Sequence, residues 1–267
     1  MRYIVDHDYH IHSQLSFCSN HPQQTNERIL EYAKDNNFKK IVLTNHFWDD
    51  AVECASNWYK QQNFEHLSKA LPLPQAEGIE FLFGCEAELD KNFNLGIAKE
   101  SFNRFDFVII PTTHLHMSGF TIDQKDFSVE NRASLWVKRL EFLLNLDLPF
   151  RKIGFAHLAS DHVVDSGRED YLKVLSLIPE SAMHSLFKKA ADSGVGIELN
   201  YCDMNFSDDE AETVLKMFRI AKKEGCKFYL GSDAHKPTSL DSAPKIFERA
   251  VEYLGLSEDD KFHIKGE

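Results

Sequence analysis

Histidines and carboxylates recur in this chain at one kind of position, at or directly after the end of a short apolar segment. The set comprises His10, His12, His46, Glu86, His114, His157, Asn200, Asp233 and His235. Neutral imidazole and carboxylate are good ligands for divalent zinc, iron and manganese. One histidine alone is more often structural, but scattered histidines would not follow segment ends. The recurrence therefore indicates one metal centre built from several elements.

The sequence His10-Ile11-His12 gives the clearest local geometry. Alternate side chains of a strand point to the same side, so both imidazoles can bind one ion. A carboxylate such as Glu86 can bridge two ions. The chain has five cysteines but no CxxC pair, which argues against a closed structural zinc site and a disulfide framework. An open catalytic site, where metal lowers the pKa of bound water, fits better.

The apolar segments that position these residues predict seven strands. They are Tyr3–Asp8, Lys40–Leu43, Glu80–Gly84, Phe105–Pro111, Lys152–Ala156, Val195–Leu199 and Lys227–Leu230. Amphipathic segments alternate with them: the Ser207–Glu210 capping box and the apolar stripe of Val214, Met217, Phe218 and Ala221 predict a helix over 207–224. This alternation predicts an α/β fold, a (β/α) barrel with the polar residues at the C-terminal strand ends. An open doubly wound sheet is the alternative, although no GxGxxG follows the first strand.

Length and composition limit the class of protein. A chain of 267 residues with 43% hydrophobic residues suits a single barrel domain over 1–267. No apolar run is long enough to span a membrane, and the N-terminal segment lacks a secretory signal pattern, so we expect a cytoplasmic protein. The net charge is -12 and no basic stripe is visible, so stable binding of nucleic acid is not expected.

The ordered motifs resemble those of the polymerase and histidinol phosphatase (PHP) domain family. The motifs are Asp8-Tyr9-His10-Ile11-His12-Ser13, Thr44-Asn45-His46, Gly84-Cys85-Glu86, Thr113-His114, Ala156-His157 and Gly231-Ser232-Asp233-Ala234-His235. One HxH is weak evidence, but the full series over residues 8 to 235 is specific. The resemblance implies a distorted seven-stranded barrel with two to three divalent ions, which are zinc, iron or manganese.

The resemblance also implies a ligand set for each ion. The first ion would take His10, His12, Glu86 and Asp233; the second would take Glu86, His114 and His157; the third would take His46, His235 and Cys18. Cys18 stands where many family members have histidine, and a thiolate can bind zinc or iron. Its alternative is a small buried residue. Asn45 replaces a frequent aspartate and is expected to orient His46.

The function implied is that of the stand-alone phosphatases of the family. A metal-bridging hydroxide would attack a small phosphomonoester, and histidinol phosphate is the family's candidate substrate. Asp233 and Glu86 would be the catalytic carboxylates. We predict substrate contacts at Arg168, Lys236, His116 and Asn200, each of which has an alternative role as a surface or structural residue.

Three other readings remain open. An amidohydrolase-like C–N or ester hydrolase would also place HxH after its first strand, but no metal-bridging lysine ends the fourth or fifth strand. A nuclease or proofreading phosphodiesterase is disfavoured by the acidic charge. A metal-dependent binding protein would need its open coordination positions blocked. The aromatic segment 49–73, with Trp58 and Tyr59, either walls the pocket or packs as a helix.

Overall fold

The computed structural model describes residues 1–19 and 21–264. Its parallel strands are β1 His7–Ile11, β2 Lys40–Leu43, β3 His46–Phe47, β4 Glu80–Ala87, β5 Phe107–Pro111, β6 Ile153–Ala156, β7 Gly196–Asn200 and β8 Lys227–Gly231. Their order in the sheet is β1-β2-β4-β5-β6-β7-β8, and the two-residue β3 pairs with β4 as a continuation of β2. Chain order and sheet order therefore coincide, as in a barrel.

The first and last strands approach each other and nearly close this sheet. The amide of His12 donates to the carbonyl of Ala234 at 3.1 Å, and the amide of Asp233 donates to the carbonyl of His10 at 2.7 Å. A parallel bridge between Ile11 and Ala234 lies at the same place. The predicted seven-stranded barrel is confirmed, and the open doubly wound sheet is excluded.

Helices cover the outside of the barrel. They are α1 Asn26–Asp35, α2 Phe64–Leu67, α3 Val129–Asn145, α4 Arg168–Leu177, α5 Glu180–Ser193, α6 Ala211–Lys223 and α7 Pro237–Leu254. The predicted stripe of α6 is buried as expected, including Val214, Met217 and Phe218. Within the described parts of the chain, none of the helices combines the length and the apolar character that crossing a membrane requires.

Three predicted elements had boundaries that were wrong by several residues. The third strand extends to Ala87 instead of Gly84, so Glu86 lies inside β4 and not after its end. The first strand spans His7–Ile11 instead of Tyr3–Asp8, because the preceding segment packs against the end of the chain: Arg2 bridges Ser257, and the Tyr3 hydroxyl donates to the carbonyl of Phe228 at 2.8 Å. Helix α6 begins at Ala211, because residues 207–210 form a turn in which only one half of the capping box exists. In that half, the amide of Ser207 donates to Glu210 at 2.9 Å.

A packed aromatic layer fills the lower half of the barrel interior. Tyr9, Phe107, Tyr229 and Phe262 are buried there together with Val42, Ile109 and Ala156. The ring centroids of Tyr9 and Phe107 lie 5.7 Å apart in an edge-on arrangement. Polar side chains from the C-terminal strand ends therefore meet above a buried and closely packed apolar layer.

Candidate metal centre

Glu86, near the end of β4, lies at the middle of the polar cluster. Its Oε2 atom is 3.6 Å from His10 Nε2, 3.4 Å from His12 Nε2 and 2.9 Å from His46 Nδ1. Its Oε1 atom faces the other side, 3.6 Å from His157 Nε2 and 3.9 Å from His114 Nε2. Each oxygen of one carboxylate therefore faces a different set of imidazoles, which is the arrangement a bridging ligand needs.

The two histidines of the HxH motif point to the same side, as the strand alternation predicts. Their Nε2 atoms lie 3.1 Å apart. Asp233 approaches both, with Oδ1 3.4 Å from His10 Nε2 and 3.1 Å from His12 Nε2, while its Oδ2 is 3.5 Å from His157 Nε2. Asp233 and His157 both have left-handed backbones, with φ of 50° and 58°. Strained residues of this kind cluster at functional sites.

The ligand atoms fall into groups small enough to surround single ions. Atoms within 4.8 Å of one another form the groups His10–His12–Glu86, Glu86–His114–His157, His12–His46–His235 and His10–His157–Glu198. Both carboxylate oxygens of Glu86 and both ring nitrogens of His157 are buried without a hydrogen-bond partner among the described residues. Buried polar atoms are normally paired. Unpaired ligand atoms that face each other fit divalent cations.

Electrostatics at the centre also favour bound cations. Burial opposes a charge on His10, yet Glu198, Asp233 and Glu86 raise its pKa well above the ordinary value. Burial likewise opposes ionisation of Glu86, but His46 and His10 hold its pKa well below its usual range. The carboxylates thus attract positive charge into the cluster. Burial and the neighbouring His157 lower the pKa of His114 well below its ordinary value, which keeps this imidazole neutral, as a metal ligand must be.

The predicted third group contains His46 and His235, and the structure adds His12 to it. The rings of His12 and His235 are stacked with centroids 4.2 Å apart. Cys18 lines the same cavity as His46 and His235. Cys18 is exposed, so the alternative of a small buried residue was wrong, but it is not part of the His12–His46–His235 group. Partial desolvation, with Asp233 and Glu86 nearby, raises the pKa of the Cys18 thiol to about 12, so a thiolate there requires a cation next to it.

Asn45 does not hydrogen-bond to His46, contrary to the expected orienting role. Its side-chain oxygen accepts from the amide of Ser13 at 2.8 Å and from the hydroxyl of Ser16 at 3.0 Å. The Ser16 oxygen in turn lies 2.9 Å from His12 Nδ1. Asn45 therefore fixes the loop after β1 and reaches His12 through Ser16.

Three buried carboxylates behind the ligands were missed by the sequence analysis. Glu198 Oε1 lies 2.6 Å from His10 Nδ1, Glu88 Oε2 lies 2.8 Å from His114 Nδ1, and Asp203 Oδ1 lies 3.9 Å from His157 Nδ1. The first two contacts are hydrogen bonds, and a carboxylate bonded to the far ring nitrogen fixes the tautomer and orientation of a ligand histidine. Asp203 is beyond hydrogen-bond distance of His157. One signal was available, since Glu88 follows Glu86 by two positions directly after β4 and Glu198 interrupts an apolar strand.

A cavity of about 460 Å³ opens beside the centre. Its lining consists of Cys18, His46, Ser56, Trp58, Tyr59, His114, His116, Met117, Phe120, His162, Asp233 and His235. His116 thus faces the predicted substrate space. The aromatic segment serves both expected roles, because Trp58 and Tyr59 line the cavity while Phe64 begins the short helix α2 and packs against Phe83 and Phe105. His162 was not singled out from the sequence, and its ring lies tilted against that of His116 with centroids 4.4 Å apart.

The other predicted substrate contacts lie outside this cavity. Arg168 begins α4 and forms two hydrogen bonds of 2.8 Å to the carboxylate of Glu210. Lys236 is exposed directly before α7. Asn200 is buried at the end of β7, where its oxygen accepts from the amide of Cys202 at 2.8 Å and its nitrogen has no partner among the described residues. Their role in substrate binding stays a prediction.

Three further histidines lie outside the metal centre. His66 Nε2 lies 2.7 Å from the carbonyl of Leu15, and His184 Nδ1 lies 2.7 Å from Glu224. His263, the third, is exposed near the end of the described chain. None of the three belongs to the ligand groups found among residues 1–19 and 21–264.

Comparison with known proteins relates this arrangement to a family. The model of the PHP domain matches residues 8–201, and Asp233 and His235 lie beyond that match on the segment after β8. A relative described as a probable phosphatase from Caldicellulosiruptor saccharolyticus is 22% identical over 249 residues, which cover 92% of this chain and 87% of the relative.

The fold is shared with a histidinol phosphate phosphatase from Lactococcus lactis subsp. lactis, solved with zinc, L-histidinol and phosphate. The TM-score is 0.57 at 17% identity, over 92% of this chain and 93% of that one. This likeness concerns the barrel. The family model, in contrast, matches most of the chain, including five of the six motifs noted in the sequence. The chain therefore belongs to the PHP domain family.

Proposed function

We propose that this protein is a metal-dependent phosphoesterase that hydrolyses a small phosphomonoester. The observation that supports this most strongly is Glu86, whose two buried, unpaired oxygens face separate sets of imidazoles. Adjacent ions joined by one carboxylate are suited to holding the oxygens of a phosphoryl group. Membership of the PHP domain family and the likeness to a probable phosphatase agree with this chemistry.

The observed groups supply His10, His12 and Glu86 for one ion, Glu86, His114 and His157 for a second, and His12, His46 and His235 for a third. To these we add the two ligands that the family resemblance implies, Asp233 for the first ion, 3.1 Å from His12, and Cys18 for the third, in the same cavity. Divalent ions bound there would lower the pKa of a water molecule and neutralise charge on the phosphate oxygens. Zinc, iron and manganese all accept this donor set.

The chain's own residues supply orientation and proton transfer. Glu198 and Glu88 fix His10 and His114 so that the opposite ring nitrogens point to the centre. Asp233 is at the cavity surface and beside His12, where its carboxylate can accept a proton from the attacking water. The reaction breaks the bond between phosphorus and the leaving oxygen and forms one to the water oxygen. One water proton ends on the alcohol and the other on phosphate.

The family resemblance implies histidinol phosphate as one candidate substrate. This compound is in the name of the Lactococcus lactis enzyme, which was solved with L-histidinol and phosphate. The cavity beside the centre would take the alcohol portion, and His116 is the predicted residue that faces it. Arg168, Lys236 and Asn200 lie outside its lining, so His116 is the predicted contact that the geometry favours. The proposed reaction needs no second domain.

Phosphate release by the metal-loaded protein tests this function. The protein is reconstituted with zinc, manganese or iron and assayed with a panel of phosphomonoesters, nucleotides, phosphodiesters and amides. We expect phosphate release from monoesters that is lost in His12→Ala and in Glu86→Gln, and retained in the control His184→Gln, which changes a histidine outside the centre. Full phosphatase activity in an Asp233→Ala, His12→Ala double variant, or hydrolysis of amides alone, would contradict the proposal.

A further inference from the structure

The cavity beside the metal centre has an aromatic side next to the ligand His46. The ring of Trp58 lies edge-on to His46 with centroids 5.2 Å apart, and Tyr59 follows at 4.7 Å from Trp58. Phe120 extends the same surface, with its ring 5.3 Å from Tyr59. Trp58 and Phe120 are partly exposed and so present ring surface to a ligand. This aromatic wall, formed by Trp58, Tyr59 and Phe120, suits an apolar planar group.

Carboxylates available to an ammonium group are scarce in this cavity. Asp233 is the sole carboxylate among its described lining residues, and it lies within 3.5 Å of His10, His12 and His157. Glu88 is close to Tyr59, 3.2 Å from the hydroxyl, but it is fully buried behind the wall. An ammonium inside the cavity would therefore lack a free carboxylate partner.

The neighbouring carboxylates do not change this balance. Asp161 and Asp165 line an adjoining depression that shares His162 with the cavity. Asp165 is paired with Arg132 at 2.8 Å, and the Asp161 side chain is 63% exposed to water. Two imidazoles, His116 and His162, stand between these carboxylates and the centre as lining residues of the cavity. Neither carboxylate lines the space beside the aromatic wall.

Desolvation acts in the same direction. An ammonium drawn into the cavity would lose its hydration without gaining a carboxylate partner, and burying a charge without a partner is unfavourable.

We infer that the leaving group of the preferred substrate is an uncharged aromatic alcohol held against Trp58 and Phe120, instead of an amino alcohol. This inference rests on the proposed phosphomonoesterase function and narrows its substrate class. It predicts that histidinol phosphate, whose alcohol carries an ammonium group, is a poor substrate. An ammonium held over the ring faces by a cation–π contact would give the opposite preference.

A matched pair of primary alkyl phosphates tests the inference with the metal-loaded protein. One substrate is 3-phenylpropyl phosphate, and the other is 2-amino-3-phenylpropyl phosphate, which adds only the ammonium group. We expect kcat/KM to be at least ~10-fold higher for the neutral substrate. The ammonium group makes the alcohol a better leaving group, so intrinsic reactivity favours the other result. An equal or higher kcat/KM for the amino substrate or for histidinol phosphate would overturn the inference.

Variants of the wall connect this preference to named residues. We expect Trp58→Leu and Phe120→Leu each to lower kcat/KM for 3-phenylpropyl phosphate several-fold and to change the value for isopropyl phosphate much less. Phe120→Leu is the decisive variant, because no ligand histidine stacks on Phe120 among the aromatic pairs, whereas Trp58 touches His46. Tyr253→Leu, which replaces an exposed aromatic residue on α7, is the control.

Calorimetric binding of 3-phenylpropylphosphonate and its 2-amino derivative gives a readout that does not depend on turnover. Tighter binding of the neutral phosphonate, weakened in Phe120→Leu, is expected. If phosphate is released from neither substrate and neither phosphonate binds, the proposed function itself fails. If phosphate is released but kcat/KM is higher for the amino substrate, or is unchanged in Phe120→Leu, the inference about the leaving group is rejected while the proposed function stands.

Discussion

His10 Nδ1 lies 2.6 Å from Glu198 Oε1, and both side chains are fully buried. The same carboxylate accepts a hydrogen bond from the amide of His157 at 3.1 Å through Oε2. One glutamate on β7 thus holds two histidines that face the centre from β1 and from the end of β6. Because the carboxylate accepts at Nδ1, the lone pair of His10 is left on Nε2, directed toward Glu86 and Asp233.

Glu198→Gln is expected to weaken metal binding about 10- to 100-fold, since the amide is a weaker acceptor and no longer carries charge behind His10. Competition with a metal-sensitive chelator measures this affinity. Glu252→Gln, an exposed position on α7, is the control. An unchanged metal affinity in Glu198→Gln would show that His10 needs no carboxylate to hold it.

Gly231, at the end of β8, lies against this pair. A Cβ atom there would overlap Glu198 Oε1 and lie 2.7 Å from His10 Cβ. We therefore expect Gly231→Ala to displace both side chains, lower metal affinity and reduce the free energy of unfolding by about 1–3 kcal/mol.

Gly225→Ala serves as the comparison for Gly231→Ala. Gly225 has φ of 91° but open space around it. Alanine there should destabilise through backbone strain while metal affinity stays unchanged. Equal losses of metal affinity in Gly231→Ala and Gly225→Ala would show that contact with Glu198 and His10 does not explain the effect at Gly231. Denaturant titration and chelator competition measure the two quantities.

The third group of ligands makes a separate prediction. His46→Ala should reduce the metal content by about one ion per chain, because His12 is shared with the first ion and only His235 and Cys18 would then remain for the third ion alone. Cys18→Ala should weaken retention of the same ion, whereas Cys54→Ala should not, since Cys54 is exposed on a loop away from the cavity.

Cobalt substitution gives a spectroscopic readout for the Cys18 prediction. A thiolate-to-cobalt charge-transfer band is expected in the wild type and in Cys54→Ala, and its loss is expected in Cys18→Ala. Metal content that stays the same in Cys18→Ala, together with no charge-transfer band in the wild type, would exclude Cys18 as a ligand.

Asp6, which lies far from the metal centre, should make the stability of the fold depend on pH. Burial opposes its ionisation, but hydrogen bonds from His7 and Lys261, both at 3.1 Å, lower its pKa from 3.8 to about 2. A carboxyl whose pKa falls on folding stabilises the protein above its unfolded pKa. This stabilisation is lost as the pH drops from about 4 toward the folded value.

Asp6→Asn is therefore expected to lower the free energy of unfolding by about 1–2 kcal/mol near neutral pH. The difference from the wild type should shrink as the pH falls from about 4 to about 2. Urea denaturation of both proteins at several pH values measures the difference. Asp209→Asn, which changes an exposed carboxylate, is the control, and its difference in unfolding free energy from the wild type should not shrink over this pH range. A difference that stays constant down to the folded pKa would mean that packing of Asp6, and not its charge, stabilises the protein.

The sequence by itself determined the strand that carries each proposed ligand. Alternating apolar segments and amphipathic helices predict a parallel barrel, and in such a barrel all C-terminal strand ends share one rim. His10, Glu86 and Asp233 could therefore be assigned to one site from local pattern alone. The same periodicity placed the start of the first strand too early. Tyr3 is buried because its ring packs under Lys261, and not because it pairs in a strand.

Tertiary structure alone decided what stands behind and beside those ligands. Glu198 is 188 positions from His10, and no local pattern links them. Arg168 was a predicted substrate contact from the sequence, but in the folded chain its guanidinium pairs with Glu210. The aromatic wall likewise depends on Phe120 meeting Tyr59 across 61 positions. The periodicity of a segment indicates which face of a helix or strand a residue occupies. The residue that it contacts on another element depends on how the elements pack together, and this packing is determined by the whole chain.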